Sequence, residues 1–352
     1  MNNEKKYDAI LLAGEGKSSY KVHHQNKAFL TINGTCLIHY IVETLQKVES
    51  IQDIYVVGPK EKLQQALLSG RIDLKSPKRI HIVEQKTTLY QNIWHTFLQS
   101  LQDENAEAPD TKSHRDRAVL IVPCDAPLMT PQEVEYFISH ADMEKHDLVS
   151  GLVSREKLQH FYPQKKTLGI KMAYIHFKEA SFRINNLHMV KPLCIENREY
   201  IQKMYQYRYQ RNFKNLILFS LSLFGKDKLR HYKCYIGLQL CLFFANLGLD
   251  SLVDYFRNLN PRKELEKTIS TIMKTRFKTL EVPYPGAALD IDNAKDYDAM
   301  KIQFYEWWKY LQEYKESLPV ATSHIEVSPA ARTEKVARPS PTPLSTSSEH
   351  EG

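Results

Sequence analysis

Short, largely apolar runs alternate with segments of helical periodicity along the first 150 residues. Such runs, each bounded by polar or turn-forming residues, predict buried strands at residues 9–12, 54–57, 80–83 and 118–122. Apolar residues recur every three or four positions between them, which predicts helices at residues 38–45, 60–68 and 89–101. A further helix is predicted after Thr130, because an N-cap threonine, a proline and a glutamate follow one another at the spacing of a helix start.

This β-α-β alternation predicts the fold class. Strands separated by helices build a mainly parallel sheet, because each parallel connection must cross over one face of the sheet. We therefore expect an α/β protein with a mainly parallel twisted sheet and helices on both faces.

The pattern changes beyond residue 147 and divides the chain. Residues 148–153 and 170–175 are predicted strands with no long helix between them, and residues 279–282 return to strand character before a final helix that ends near Tyr314. The segment between them is helical, aromatic and basic. The predicted organisation is a first α/β part at 1–195, a helical insertion at 196–278, a return to the α/β domain at 279–318, and a disordered, Pro- and Ser-rich tail at 319–352.

Composition narrows the class of protein. The chain has 42% hydrophobic and 25% charged residues and a net charge of +7, which is ordinary for a globular protein and compatible with phosphate-bearing ligands or an anionic membrane surface. Five cysteines without close pairing predict reduced thiols and a cytoplasmic location. The N-terminus lacks the apolar core of a signal peptide, and no apolar run reaches the ~18 residues of a transmembrane helix.

The loop after the first strand is the first candidate for chemistry. Only 12 glycines occur in the chain, and Gly14 and Gly16 stand together at the end of this strand, followed downstream by Lys27. Such a turn exposes backbone N–H groups to a phosphate, and a lysine supplies a point charge. The sequence matches neither the Walker loop nor the dinucleotide fingerprint, so an ordinary strand-to-helix turn is the alternative.

Carboxylates follow two later strands. Asp125 lies just past an apolar strand, at the sheet edge where open α/β sheets place ligands; a turn-forming aspartate is the alternative. Asp290 and Asp292 flank Ile291, so both can face one side of an extended segment and converge on one ion, although Asp292 could instead cap the last helix. Mg²⁺ prefers such oxygen ligands. Glu84, just past the third strand, is a weaker candidate for ligand contact.

Taken in order, these motifs resemble a known family. The chain reads Leu12-Ala13-Gly14-Glu15-Gly16, then "KAFL" from Lys27 and "GTCLI" from Gly34, then "CDAP" around Asp125 and "DIDNAKDY" from Asp290. This order of motifs is similar to that of the MobA-like nucleotidyltransferases, which have a glycosyltransferase-A-like fold. The resemblance covers roughly residues 7–155 and 279–300. Two positions depart from it, because Glu15 replaces the second glycine and the usual loop arginine is absent.

The resemblance implies a reaction and a set of roles. It implies transfer of a nucleoside monophosphate from an NTP to a small phosphorylated acceptor, with release of pyrophosphate. Asp125 and Asp292 would bind Mg²⁺ with Asp290 in support, and Lys27 would act on the triphosphate together with Lys17 or Lys21. Backbone from Leu12 to Gly16 would hold the phosphates. Three polar residues before the insertion are candidates for the acceptor site, or form a simple turn: Asn185, Asn186 and His188.

The helical insertion leaves two interpretations open. Its apolar stretches within 213–249 are each too short to span a bilayer and are surrounded by basic residues. They predict either a buried helical pair packed on the main domain or a peripheral contact with anionic lipid at the inner face of the membrane. No RNA-binding motif accompanies the tyrosines and arginines, so we expect no nucleic-acid partner.

Two other functions remain as alternatives. A nucleotide-sugar glycosyltransferase of the same fold would release a nucleoside diphosphate instead of pyrophosphate. A degenerate, membrane-associated scaffold protein would lack catalysis, and Glu15 and the missing arginine motivate this alternative.

Overall fold

A computed structural model describes residues 5–15, 21–68, 76–102, 112–165, 167–198, 200–201 and 229–317. Several predictions lie outside these residues: the positions of Gly16 and Lys17, much of the first part of the helical insertion, and the tail at 319–352.

The strands and helices follow one another in the predicted order. The strands are β1 (Tyr7–Leu12), β2 (Thr31–Ile32), β3 (Thr35–Cys36), β4 (Ile51–Gly58), β5 (Ile80–Glu84), β6 (Val119–Pro123), β7 (Leu148–Ser154), β8 (Ile175–His176), β9 (Ser181–Val190) and β10 (Phe277–Glu281). The helices are α1 (Leu37–Gln46), α2 (Lys60–Leu68), α3 (Leu89–Ser100), α4 (Pro131–His140), α5 (Arg155–Leu158), α6 (Leu229–Asn246), α7 (Asp250–Phe256), α8 (Arg262–Met273) and α9 (Ala294–Ser317).

One mixed sheet organises these elements, in the order β5-β4-β1-β6-β9-β7-β10, with β8 beside β9. Strand β9 is antiparallel to β6 and β7, and the other neighbours along this order pair in parallel. The carboxyl ends of β1, β4, β5 and β6 therefore meet at one edge, where α/β sheets place ligands. The predicted mainly parallel α/β fold is confirmed.

The core lies on both faces of this sheet. On β1, Ala9 and Leu11 join one buried cluster, whereas Ile10 between them joins a second cluster on the opposite face. Because side chains alternate along a strand, both faces must be covered for all three to be fully buried. This explains why the strand is a continuous apolar run.

The strand predicted at residues 170–175 is wrong over most of its length, and a strand at 181–190 was not predicted. Residues 170–174 form no strand, and Ile175–His176 is only a short pair beside β9. The long strand is instead β9, where a turn was the alternative reading of Asn185 and Asn186. The pairing of β9 with β7 shifts register between Ser150 and Leu152, and Asn186 has a φ of +62°. This bulge, with the polar residues that form it, interrupts the periodicity of a strand.

The start of α4 forms as the sequence predicts. Thr130 Oγ1 accepts a hydrogen bond from the Glu133 N–H at 3.3 Å. The Glu133 carboxylate is fully buried and accepts from the Ala287 N–H at 2.8 Å, which ties α4 to the segment before Asp290. Burial raises the pKa of Glu133 well above its ordinary value.

Removing this cap should cost measurable stability. We expect Thr130→Ala to lower the free energy of unfolding by about 1 kcal/mol, because the N-terminal N–H groups of α4 lose an acceptor. Chemical denaturation checks this. Thr271→Ala, at an exposed position inside α8, is the matched control and should not destabilise, because alanine has the higher helix propensity. Equal losses in both variants would contradict the capping role.

Helices α6 to α8 belong to the segment predicted as a helical insertion. In α6, Cys234 and Cys241 are buried, whereas Ile236 and Phe243 are each 49% exposed. The five cysteines all lie in the described part of the chain and are free. Within the described ranges, no helix is both long and apolar enough to cross a bilayer. The domain boundaries, the peripheral membrane contact and the cytoplasmic location stay predictions.

Candidate active site

The two described ends of the loop after β1, at Ala13 and Asn26, are held by backbone and amide hydrogen bonds. The Ala13 N–H donates to the Val57 carbonyl at 2.8 Å, and Asn26 Nδ2 donates to the Ala13 carbonyl at 2.8 Å. A side chain at Gly58 would lie 2.7 Å from the same Ala13 carbonyl, so glycine is required for this approach of β4. Asn26 Oδ1 also accepts from the Ala28 N–H, and this turn sets the position of Lys27.

Gly14 and Glu15 have partners that the sequence analysis missed. Gln85 Oε1 accepts a hydrogen bond from the Glu15 N–H at 2.6 Å. A Cβ at Gly14 would lie 3.0 Å from Asn92 Nδ2 and 3.3 Å from Gln85 Oε1, so the missing side chain makes room for both amides. The Glu15 carboxylate pairs with Lys62 Nζ of α2 at 3.2 Å. This ion pair offsets the negative charge of Glu15, the residue that replaces the second glycine of the motif.

Lys27 joins two aspartates that are far apart in the chain. Its Nζ lies 2.7 Å from Asp125 Oδ2 and 3.5 Å from Asp292 Oδ1. The side chains of Lys27 and Asp125 are each 13% exposed, and that of Asp292 is 44% exposed. The two carboxylates therefore converge on one point beside the loop after β1.

Backbone contacts hold the Asp290–Asp292 segment in this place. The Ile291 N–H donates to the Asp125 carbonyl at 3.0 Å, which positions the two flanking aspartates directly beside Asp125. From β9, Asn186 Nδ2 donates to the Ala287 carbonyl at 3.0 Å. Strand β9 and α4 thus both hold this segment through Ala287.

Arg183 is a site residue that the sequence analysis missed. Its guanidinium lies 2.6 Å from Asp290 Oδ1 and 3.7 Å from Asp292 Oδ2, and its Nε donates to the Ala288 carbonyl at 2.9 Å. The residue is in β9, which was not predicted as a strand. The only sequence signal was an arginine among alternating apolar residues, and that signal is readable only once the strand is recognised.

The alternative role of Asp292 as a helix cap is wrong. Asn293 Oδ1 accepts from the N–H groups of Lys295 and Asp296, so Asn293 caps α9. The Asp296 carboxylate accepts from the Asp292 N–H at 3.2 Å and from Asn293 Nδ2 at 2.6 Å, so Asp296 holds the chain just before the helix. The Asp292 carboxylate therefore stays available to face Lys27.

Burial and neighbouring charges shift the pKa values at this site. Burial raises the pKa of Asp125, against the opposing effect of Lys27, and burial together with Asp290 raises that of Asp292. Desolvation would lower the pKa of Lys27, but the charges of Asp125 and Asp292 more than offset it and the pKa is raised. Burial raises the pKa of Asp296 to about 6.

One cavity of about 520 Å³ opens at this point. Its lining includes backbone or side chains from most of the predicted site: Leu12, Gly14, Lys27, Asp125, Asn186, His188, Asp290 and Asp292. Four predicted residues that the structure describes are not among its lining residues: Ala13, which is buried, Lys21, Glu84 and Asn185. Glu84 instead accepts from the Lys60 N–H at 3.0 Å, Lys21 is exposed, and Asn185 is fully buried within β9.

The carboxylates of Asp125, Asp290 and Asp292 are suitable ligands for a hard divalent cation, although each already forms an ion pair with Lys27 or Arg183. In the portion of the chain that the structure describes, no group of three or more His, Cys, Asp or Glu side chains is arranged as a metal site. The Lys27 ammonium stands between Asp125 and Asp292, and Arg183 holds Asp290. Lys27 pairs with only one oxygen of Asp125, and the contacts of Asp292 are long, at 3.5 Å to Lys27 and 3.7 Å to Arg183. Carboxylate oxygens are the ligands that Mg²⁺ takes along with several waters.

Among the solved structures that match the chain, the first one described here supports the fold. A hypothetical transferase from Thermus thermophilus superposes with a TM-score of 0.54 and 18% identity, covering 83% of this chain and 99% of that one. A CMP:2-keto-3-deoxy-manno-octonic acid synthetase in complex with CTP has a TM-score of 0.42 and 12% identity, covering 86% and 100%. A 4-diphosphocytidyl-2C-methyl-D-erythritol synthase from Anaerococcus prevotii has a TM-score of 0.39 and 12% identity, covering 87% and 97%. No curated protein sequence matches the chain.

The sequence model of one family matches residues 9–218, which is more than half of the chain. This span contains β1, the Gly14 loop, Lys27 and Asp125. The chain belongs to the family of the MobA-like NTP transferase domain and is an enzyme of the nucleotidyltransferase class.

Proposed function

We propose that this enzyme transfers a nucleoside monophosphate from an NTP to a small phosphorylated acceptor in a Mg²⁺-dependent reaction that releases pyrophosphate. The observation that supports this most directly is the contact of one lysine, Lys27, with both Asp125 and Asp292 beside the Gly14 loop. An acceptor phosphate oxygen attacks the α-phosphorus, a P–O–P bond forms, and the bond to the β-phosphate breaks, with its electron pair leaving on pyrophosphate.

The protein groups position the reactants and neutralise charge. In this proposal Asp125 and Asp292 hold Mg²⁺, with Asp290 in support, and the ion neutralises negative charge on the phosphoryl oxygens. Arg183 keeps the Asp290 carboxylate oriented. Phosphoryl transfer needs little covalent chemistry from protein, so positioning and charge supply most of the catalysis.

Lys27 and the loop after β1 bind the triphosphate in the same proposal. When an NTP binds, its phosphates offer the Lys27 ammonium a second set of anionic partners beside the two aspartates. Backbone from Leu12 to Gly16 cradles the phosphates, and Lys17 or Lys21 adds charge. Glu84 is a weaker candidate for contact with the nucleotide, because its carboxylate accepts from the N-terminus of α2.

The acceptor would lie over β9 and β7. Asn186 and His188 line this part of the cavity, and Asn185 supports the bulge that presents Asn186. The Asn185 Oδ1 accepts from the Leu187 N–H at 3.2 Å, and a side chain at Gly151 would overlap this amide. In this proposal Asn186 and His188 contact the acceptor. Asn185 does not contact it, but its hydrogen bond to the Leu187 N–H holds the backbone that positions Asn186.

A nucleotide panel tests the proposal. Each of the four NTPs, with and without Mg²⁺, should be compared by thermal shift, because a ligand that binds only the folded state raises the Tm by mass action. We expect one NTP to raise the Tm only when Mg²⁺ is present. Incubation of that NTP with phosphorylated sugars and alcohols should then release pyrophosphate.

The leaving group separates the alternatives. Release of a nucleoside diphosphate from a nucleotide-sugar would replace this proposal with the glycosyltransferase of the same fold. No shift with any NTP and no pyrophosphate with any acceptor would favour the scaffold protein.

A further inference from the structure

The cavity continues past its polar end along one face of the sheet. From Asp125 it extends over β9 and β7 to β10, with α8 as the far wall. The side chains along this extension are almost all aliphatic; those on which the argument depends are Leu148, Leu152, Ile184, Leu265, Ile269 and Met273. Ile184 is 42% exposed although it lies in the interior strand β9, because its side chain faces the open space of the cavity.

The few polar groups in this extension have partners. Arg198, near its Met273 end, donates from Nε to the Ile195 carbonyl at 2.8 Å and lies over the Trp94 ring. Ser150 Oγ and His188 Nδ1 lie 2.9 Å apart. Thr279 Oγ1 donates to Glu266 Oε1 and accepts from Arg262 Nε at 2.6 Å. Burial lowers the pKa of His188 to about 4, so this ring is neutral at pH 7. The extension therefore presents a surface with little hydrogen-bonding capacity to spare.

We infer that the acceptor is amphiphilic, a phosphorylated alcohol whose phosphate lies at the Lys27–Asp125–Asp292 end and whose apolar chain occupies the extension beside Ile184 and Ile269. The inference rests on the proposed function for the phosphate end and on the cavity alone for the apolar end.

A sugar phosphate fits this extension poorly. Each sugar hydroxyl that loses water without gaining a partner weakens binding, and the partnered groups of the extension offer few replacements. An alkyl chain gains free energy from the same surroundings, because burial of each methylene is favourable.

The nucleotide base also fits the extension poorly, because its polar groups would lose water without gaining partners. A different part of the cavity is available to the base. The loop after β1 and the start of α3 form the opposite wall of the cavity, with the amides of Asn26 and Asn92 among its lining. The sheet order places β6 and β9 between β1 and β7. With strands about 4.8 Å apart, β9 is about 10 Å and β7 about 14 Å from β1, which leaves the β1 side for the nucleoside.

A series of alkyl phosphates tests the inference. Binding of ethyl, butyl and octyl phosphate to the full chain should be measured by calorimetry. We expect the Kd to fall about three- to fourfold per added methylene, so octyl phosphate should bind roughly 100-fold more tightly than butyl phosphate.

Two variants locate the binding. Ile184→Ser should weaken octyl phosphate about tenfold and leave ethyl phosphate unchanged, and Ile269→Thr on the facing wall should act in the same direction. Ile302→Ser makes the same change as the first variant at a position on α9 that is 66% exposed, and it should leave both affinities unchanged. Equal affinity for all chain lengths, or a loss in Ile302→Ser as large as in Ile184→Ser, would overturn the inference.

Pyrophosphate release on the same preparation separates this inference from the proposed function. Turnover of short polar phosphates without any dependence on chain length would overturn the inference and leave the proposed function intact. Chain-length-dependent binding without NTP binding or turnover would remove the proposed function and leave the amphiphile site.

Discussion

Asp125→Asn is expected to slow nucleotidyl transfer by about 10³-fold, because the variant loses the charge that is proposed to hold Mg²⁺ at the α-phosphate. The side chain keeps its shape and the Lys27 contact keeps an oxygen acceptor, so the fold should remain. Pyrophosphate release at saturating NTP and acceptor measures the effect. The thermal shift caused by NTP with Mg²⁺ should shrink in the same variant.

Asp298→Asn is the matched control for this prediction. It makes the same change at an exposed position on α9, six residues from Asp292, and should leave activity unchanged. If Asp125→Asn kept full activity and a full Mg²⁺-dependent shift, the proposed metal site would be elsewhere. If both variants lost activity alike, the loss would reflect overall charge and not the position of Asp125.

The sequence predicted those strands and helices whose pattern of apolar and polar residues directly reflects which side chains are buried. Residues 9–12 read as a strand because Ala9, Ile10 and Leu11 are buried on two opposite faces, which leaves no polar position. The start of α4 was readable because the cap is local, with Thr130 and Glu133 only three residues apart.

Strand β9 could not be read in this way. Its place between β6 and β7 depends on partners from distant parts of the chain, and its bulge depends on the room that Gly151 leaves for Asn185. Arg183 was missed for the same reason, because its ion pair with Asp290 spans 107 residues. Register between distant strands is a property of the whole sheet and has no local signature.

The proximity of the predicted site residues follows from sheet topology. Lys27 and Asp292 are 265 residues apart, yet both lie at the edge where Asp125 ends β6. What the motifs did not show is that Lys27 contacts both aspartates directly. The apolar extension was also not readable, because its walls come from β7, β9 and α8, which meet only in the folded chain.

Lys27→Met is expected to affect both activity and stability. Transfer should fall by about 10²–10³-fold, because the triphosphate loses a positioned cation. The fold should lose about 3 kcal/mol at pH 8, because Asp125 keeps a buried charge after its 2.7 Å partner is removed. Initial rates and thermal unfolding measure the two effects.

The loss of stability in Lys27→Met should depend on pH. Burial raises the pKa of Asp125 and Asp292 in the folded protein, and removal of the ammonium raises both further. A carboxyl whose folded pKa is higher than its unfolded pKa destabilises the fold as pH rises from the unfolded towards the folded value. The difference in Tm between the variant and the wild type should therefore be small at pH 4.5 and larger at pH 8.

Lys47→Met is the matched control, since Lys47 pairs with Glu43 at 2.7 Å but its side chain is 61% exposed. An exposed pair is worth about 0–1 kcal/mol, so this variant should show little loss at either pH and no loss of activity. A pH-independent loss in Lys27→Met would mean that packing of the lysine stem, and not the charge of its partners, stabilises this part of the fold. Full activity in Lys27→Met would remove the lysine from the proposed triphosphate site, because the convergence of the two carboxylates on its ammonium would then have no catalytic consequence.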